Sequence, residues 1–165
     1  MFADARGTPP RLASVLFIDD RILYTDLEPS ASLMQMFTRR RDSQIMGLEL
    51  LAIALGMSTF AGLLSGRRVC IWSDNVGSER GVTKGAAASW DNSQFIHCIW
   101  THAARINSYL HVMRVPSEEN IADLPSRCEY DLLHALDASW LAPVLDVVYT
   151  KRESWAALSL KTVFG

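Results

Sequence analysis

The sequence predicts an α/β protein with a mixed sheet flanked by helices, and three observations carry that expectation. β-forming runs open the chain, two of them separated by the polar pair Asp19-Asp20. A long apolar segment of helical length follows, from Ile45 to Leu64. After it, short apolar strand-like runs alternate with helical patterns, so the order is strands, helix, strand, helices, strand, helix.

Each element has a local reason. Met1 to Ala5 is a short apolar start containing Asp4, and Gly7-Thr8-Pro9-Pro10 turns the chain. Leu12 to Phe17 and Arg21 to Thr25 are rich in β formers and predict a hairpin. Ser32 to Thr38 is expected to be a third strand. Asp42 or Ser43 can cap a long helix running to about Leu64, closed by Gly66 with Arg67 and Arg68 beside it. Val69 to Ser73 predicts a short buried strand ending at Asp74. A helical pattern covers about Ser89 to Ser108, and Tyr109 to Val115 is a strand stopped by Pro116. Glu119 to Arg127 and Tyr130 to Leu141 are expected to be helical. With no repeat or low-complexity linker, residues 1–165 are read as one domain, its core about 2–127 and a helical extension about 128–165.

At 165 residues, 49% apolar and 21% charged, the chain can bury a sizeable core. Sixteen basic and eighteen acidic residues leave a net charge of −2, which argues against indiscriminate coating of nucleic acid. Cys70, Cys98 and Cys128 are too widely spaced for a metal knuckle, and their odd number fits a reducing compartment. Ile45 to Leu64 is interrupted by Glu49, Ser58, Thr59 and three glycines, so it reads as a buried helix and not a membrane span. No signal peptide is recognised. The expectation is a soluble intracellular protein with no membrane partner, cytoplasm and nucleus not distinguished.

Four acidic positions stand out. Glu49 is the only charged residue between Ser43 and Leu64, and its helical neighbours Ile45, Met46, Ala52 and Ile53 are all apolar. A carboxylate among such side chains needs a cation, a metal or a proton. A partly exposed glutamate, or one paired with an arginine at 39 to 41, fits the pattern as well. Asp74 ends the run Val-Cys-Ile-Trp-Ser, and carboxyl ends of strands are where ligand chemistry collects in α/β sheets. An N-cap for the next helix is the competing role. Asp123, in Asn-Ile-Ala-Asp-Leu-Pro, starts a helix, where the helix dipole alone favours an aspartate. Asp4 lies close to a turn near the amino end. Together, two strand positions, one helix start and one apolar helix position supply carboxylates with no obvious fixed cation. Such an oxygen-rich set suits Mg²⁺ or Mn²⁺ better than zinc. Two such ions can activate a water and stabilise the leaving oxygen of a phosphodiester.

The segments around these residues resemble the ribonuclease H domains of retroelements, of the LTR or tyrosine-recombinase type. Phe2-Ala-Asp-Ala-Arg-Gly-Thr resembles their first-strand segment, Leu48-Glu-Leu-Leu-Ala-Ile their first-helix segment, and Trp72-Ser-Asp-Asn-Val the close of their fourth strand. Val115-Pro-Ser-Glu-Glu-Asn-Ile-Ala-Asp-Leu-Pro-Ser-Arg127 is similar to their terminal signature, Asn-x-x-Asp followed by Ser-Arg, and is the most specific match. The resemblance covers about Phe2 to Arg127. It implies a ribonuclease H-like fold and hydrolysis of the RNA strand of RNA–DNA hybrids with two Mg²⁺ or Mn²⁺ ions. Asp4, Glu49, Asp74 and Asp123 would be both the catalytic and the metal-binding residues, and a reverse transcriptase domain the partner. The chain departs from the pattern in a very short first strand and in lacking the loop histidine of cellular members. Pro116-Ser-Glu-Glu stands there, with Glu118 or Glu119 as candidates for aiding product release. His111 alternates within a strand and reads as structural.

A hybrid-binding protein needs phosphate contacts, and the candidates are Arg39, Arg40, Arg41, Asn75, Arg80 and Lys84. Arg67, Arg68, Arg105 and Arg114 are scattered elsewhere, and any of these arginines is also consistent with a solvated surface. Two bound divalent ions would turn the net charge from −2 to +2, friendlier to a polyanion. Trp90 suits a nucleic-acid contact, a lid or the core, whereas Trp72 and Trp100 read as core. The alternative function is a catalytically inactive scaffold of the same fold within a larger replication or nucleic-acid-processing protein. An exonuclease would place Asp-x-Glu in its first strand, but Asp4 is followed by Ala5-Arg6. An integrase would end its acidic set on glutamate, and here the last member is Asp123.

Overall fold

Strand pairing begins at the amino end, and the expected hairpin follows it. In the computed structural model, which describes residues 1–37, 41, 44–146 and 149, strand β1 (Phe2–Gly7) pairs antiparallel with β2 (Pro10–Ile18) from Phe2↔Val15 to Gly7↔Pro10. β2 pairs antiparallel with β3 (Arg21–Leu27), closing at Ile18↔Arg21 around Asp19-Asp20. Asp19 takes a left-handed φ of 51°, which a short polar side chain tolerates in a two-residue turn. β1 is thus a six-residue strand paired along its length, not the very short one expected.

The third strand expected at Ser32 to Thr38 is instead a helical turn, α1 (Ala31–Met34), up to the limit of the described residues at 37. The Ser30 hydroxyl accepts from the Leu33 N–H at 3.2 Å, and this capping overrides the weak β pattern. Helix α2 (Ile45–Thr59) follows. Its expected caps, Asp42 and Ser43, lie outside the described residues. The helix stops earlier than expected, at Phe60, and α3 (Ala61–Leu64) is a separate turn. Beside that break, Ser58 and Thr59 turn their hydroxyls to the backbone N–H groups of Asp146 and Val144.

Strand β4 (Arg68–Ser73) forms as expected, and helix α4 (Val76–Lys84), which the sequence reading passed over, follows it. Helix α5 (Trp90–Arg105) and strand β5 (Tyr109–Arg114) fall where the pattern places them. The helix expected from Glu119 to Arg127 is a 3₁₀ turn (Ser117–Glu119) and a single α turn, α6 (Asp123–Ser126). Asn120 interrupts it, its side chain engaged with Ala3 and Ala122. The helix expected from Tyr130 to Leu141 is the short α7 (Asp131–Ala135) followed by strand β6 (Ser139–Trp140). Asp137, at φ 55°, turns the chain between them.

Among the described residues six strands form one mixed sheet in the order β5-β4-β1-β2-β3-β6, with β4 parallel to β1 and β5, and β6 parallel to β3. This mixed α/β architecture is consistent with a ribonuclease H-like fold. Alternation sends Ala3, Ala5, Leu12 and Leu16 to the main core with α2. Phe2, Val15 and Tyr24 face the other way, onto Ala122, Leu133 and Tyr130. Helix α2 is buried from Gly47 to Ser58 because the sheet covers one side and α5 another. Gly56 permits the close approach: a β-carbon there would lie 2.7 Å from the Ser14 hydroxyl. Among the described residues no helix is long and apolar enough to cross a membrane. Neither tryptophan expected in the core is buried: Trp72 is half-buried and stacks on Phe2, and Trp100 is 37% exposed and donates its indole N–H to the Val82 carbonyl.

Asp26 ties the carboxy-terminal elements to the hairpin. It pairs with Arg11 and accepts from the Tyr130 hydroxyl and the Trp140 indole N–H, both at 3.1 Å. Asp26→Asn keeps an acceptor but removes the charge, and should cost about 1 kcal/mol. In thermal melts that corresponds to a drop of roughly 2–4 °C; an unchanged melt would show that these contacts are not stabilising.

Candidate metal centre

The site forms where β1 and β4 part. Their ladder has one register pair, Phe2↔Trp72, with the Met1 amino group bonded to the Cys70 carbonyl just before it. Because N–H groups alternate along a strand, that of Ala5 points to the same edge, beyond the last contact with β4. The Glu49 carboxylate occupies this place, with Oε1 accepting from Ala5 N at 3.3 Å. Asp4, the residue before Ala5 on β1, and Asp74, directly after β4, complete the group. One oxygen from each of Asp4, Glu49 and Asp74 lies within 4.8 Å of the others.

Burial makes this convergence costly. Glu49 is 4% and Asp4 5% exposed, while Asp74 is half-buried. Desolvation, then the charges of Asp4 and Asp74, pushes the Glu49 carboxyl well above the usual range, against the Ala5 N–H. Asp4 is raised to about 6, first by desolvation and then by Asp74 and Asp123, with the Ser126 hydroxyl opposing. Glu49 Oε2 is buried with no hydrogen-bond partner among the described residues. A buried carboxylate oxygen without a donor, facing two more carboxylates, is deficient in positive charge. An all-oxygen donor set of this kind fits a hard divalent cation such as Mg²⁺ or Mn²⁺.

The structure also bears on the roles left open for these carboxylates. Asp74 is not the cap of the next helix, because Asn75 Oδ1 accepts from Ser78 N at 2.9 Å. Glu49 is not exposed, and among the described residues it pairs with no arginine; Arg39 and Arg40, two of the candidates for such a pair, lie outside them. Asp123 behaves differently from the other three. It borders the same cleft and raises both Asp4 and Glu49, yet it is held by Arg127, whose Nε donates to Oδ1 at 2.8 Å. It therefore has a cationic partner, contrary to expectation, and stands outside the close trio. The reason is helical spacing, which sets residues four apart side by side.

The carboxylates open into a cleft of about 590 Å³ lined by Arg6, Asn75, Ser126, Arg127 and Glu129, among others. Of the nucleic-acid candidates, Asn75 lines this cleft. Arg80 and Lys84 are exposed on α4, Arg41 is exposed, and Arg39 and Arg40 lie outside the described residues. Among the described residues the cleft's basic side chains are instead Arg6 and Arg127, neither of which sequence reasoning selected. Arg6 follows Asp4 by two positions on β1, so alternation could have flagged it. Glu118 and Glu119 are exposed on the 3₁₀ turn and do not line the cleft, whereas Glu129 does. His111 is exposed on β5, and Trp90 is 50% exposed at the start of α5. Asn120 is the buried organiser: its amide donates to the Ala3 carbonyl at 3.1 Å and to Asp4 at 3.3 Å. The Asn-x-x-Asp spacing pointed to it. The chain matches no protein-family model and no curated protein.

Proposed function

We propose that this protein is a metal-dependent endonuclease of ribonuclease H type that hydrolyses the RNA strand of RNA–DNA hybrids. The observation that best supports the reading is the convergence of Asp4, Glu49 and Asp74 around a buried glutamate oxygen that lacks a partner. These three would hold Mg²⁺ or Mn²⁺, with Asp123 joining from the cleft rim. When bound, two such ions supply an activated water and neutralise charge on the leaving oxygen. Asn120 and the Ala5 N–H fix the orientation of Asp4 and Glu49, so the donor set is positioned before any substrate arrives. The open polar cleft gives a phosphodiester backbone access to these oxygens, and Arg6 and Arg127 place positive charge along its walls. Hybrid selectivity rests on the resemblance of the four acidic segments, as does a reverse transcriptase domain as partner.

Labelled RNA–DNA hybrid incubated with the protein and Mg²⁺, beside single-stranded RNA and duplex DNA, tests this reading. The RNA strand of the hybrid alone should be cut, and excess chelator should stop it, since recognition would use the 2′-hydroxyls and the groove shape of the hybrid. Equal cutting of duplex DNA, or full activity in chelator, would sink it. A catalytically inactive scaffold of the same fold is the second reading, favoured by the Asp123–Arg127 pair that withholds one carboxylate. Hybrid binding without cleavage under all metal conditions would select it.

A further inference from the structure

We propose that Arg127 is an exchangeable counter-cation of the site: without metal it neutralises Asp123, and in the loaded protein it gives Asp123 up and turns its guanidinium to a phosphate of the bound strand. This rests on the metal-dependent nuclease reading above and assigns that site a residue for substrate recognition.

Three observations lead there. Arg127 lines the same cleft as Asp4, Glu49, Asp74 and Asp123. It is fastened by one bond, from Nε to Asp123 Oδ1, and its two terminal nitrogens make no hydrogen bond to the described residues. Its side chain is 57% exposed and that of Asp123 34%, so the pair is largely solvated and weakly held. A guanidinium with a free fork beside an anionic cluster matches a phosphate's paired oxygens better than a lysine would. The buried, partnerless oxygen of Glu49 supplies the pull. A divalent cation drawn to it attracts Asp123 more strongly than one exposed arginine does, and a freed Arg127 would stand beside the metal-facing phosphate.

The two roles give opposite signs in experiment. Removing Arg127 takes away a competitor for Asp123, so metal should bind more tightly, while the substrate should be held less well. Thermal melts over a Mg²⁺ series read the first effect without substrate. Arg127→Ala should reach its half-maximal shift at Mg²⁺ about two- to five-fold lower than wild type, the fold-change that matches loss of a surface ion pair. Arg127→Lys, keeping the charge, should stay near wild type in this assay. Hybrid cleavage at increasing salt reads the second effect. Arg127→Ala should raise KM more than it lowers kcat, and the slope of log kcat/KM against log salt should become shallower by about one. Arg127→Lys should recover the slope but only part of the KM. The proposal is overturned if Arg127→Ala needs as much Mg²⁺ as wild type, or if its salt slope is unchanged. If Mg²⁺ shifts the wild-type melt and only the Arg127 variants disagree, the nuclease reading survives. If Mg²⁺ does not shift wild type at all, both fall.

Discussion

Asp74→Asn is expected to abolish hybrid cleavage, lowering turnover by at least ~10³-fold, a loss of several kcal/mol of transition-state stabilisation. The substitution keeps the size of the side chain and removes one of the three converging charges. It also spares the local fold. The cap of α4 belongs to Asn75, whose own N–H is held by the Ser73 hydroxyl at 3.2 Å, so neither bond involves the Asp74 side chain. Hybrid binding should stay within a few-fold of wild type, because phosphate contacts are made by other residues. Single-turnover cleavage and filter binding, measured on the same preparation, separate the two effects. A variant retaining a rate near wild type would remove Asp74 from the metal set.

Glu49→Gln should raise the stability of the metal-free protein, by ~1 kcal/mol, the scale of a typical single substitution. The sign follows from the direction of the shifts. Glu49 and Asp4 both have folded pKa values raised above their ordinary ones, Asp4 to about 6 from 3.8. Each therefore binds protons more tightly folded than unfolded, and ionisation weakens the fold. At pH 8 the Asp4 part of this cost is present in full. It fades as pH falls through about 6 and is gone below the unfolded value of 3.8. Glu49 adds a contribution that begins to fade at higher pH than its ordinary range. Metal-free wild type should consequently melt higher as pH falls from 8 to 5, until other groups reverse the trend. Glutamine at 49 can still accept from the Ala5 N–H and removes the charge, so the variant should melt roughly 2–4 °C above wild type in chelator. Its pH dependence should flatten. Millimolar Mg²⁺ should stabilise wild type and do less for the variant, since metal binding to the folded form is linked to stability. A satisfied structural salt bridge would give the reverse: a lower melt for the variant, and no rescue by metal. If Glu49→Gln melts below wild type in chelator and Mg²⁺ shifts neither protein, the metal-centre assignment fails.

What the sequence by itself determined about this protein was what short-range rules can reach. The Asp19-Asp20 hairpin, the strand ending at Asp74 and the α5 pattern follow from turn chemistry and periodicity within a few residues. The apolar helical neighbours of Glu49 marked it as a candidate for burial without deciding against an exposed or paired glutamate, because a helix fixes those neighbours but not what packs on them. Helix α4 also had its signals in Asn75, Lys84 and Gly85, but Gly77, Gly81 and a polar surface masked its period. Only the tertiary structure decided how the acidic positions relate. That β1 and β4 share a single register pair, leaving an edge for Glu49 to occupy, depends on how two strands nearly seventy residues apart diverge. Asn120 reaches Ala3 across 117 positions, and that contact holds the terminal signature against the first strand. The carboxy-terminal residues expected to stay helical instead supply β6, because Asp26 offers acceptors to both Tyr130 and Trp140. That Asp123 stands outside the trio and pairs with Arg127 was likewise decided only by the fold. Periodicity reports which face a residue occupies; solvent access and distant partners, which set the energy of a charge, exist only once the chain has folded.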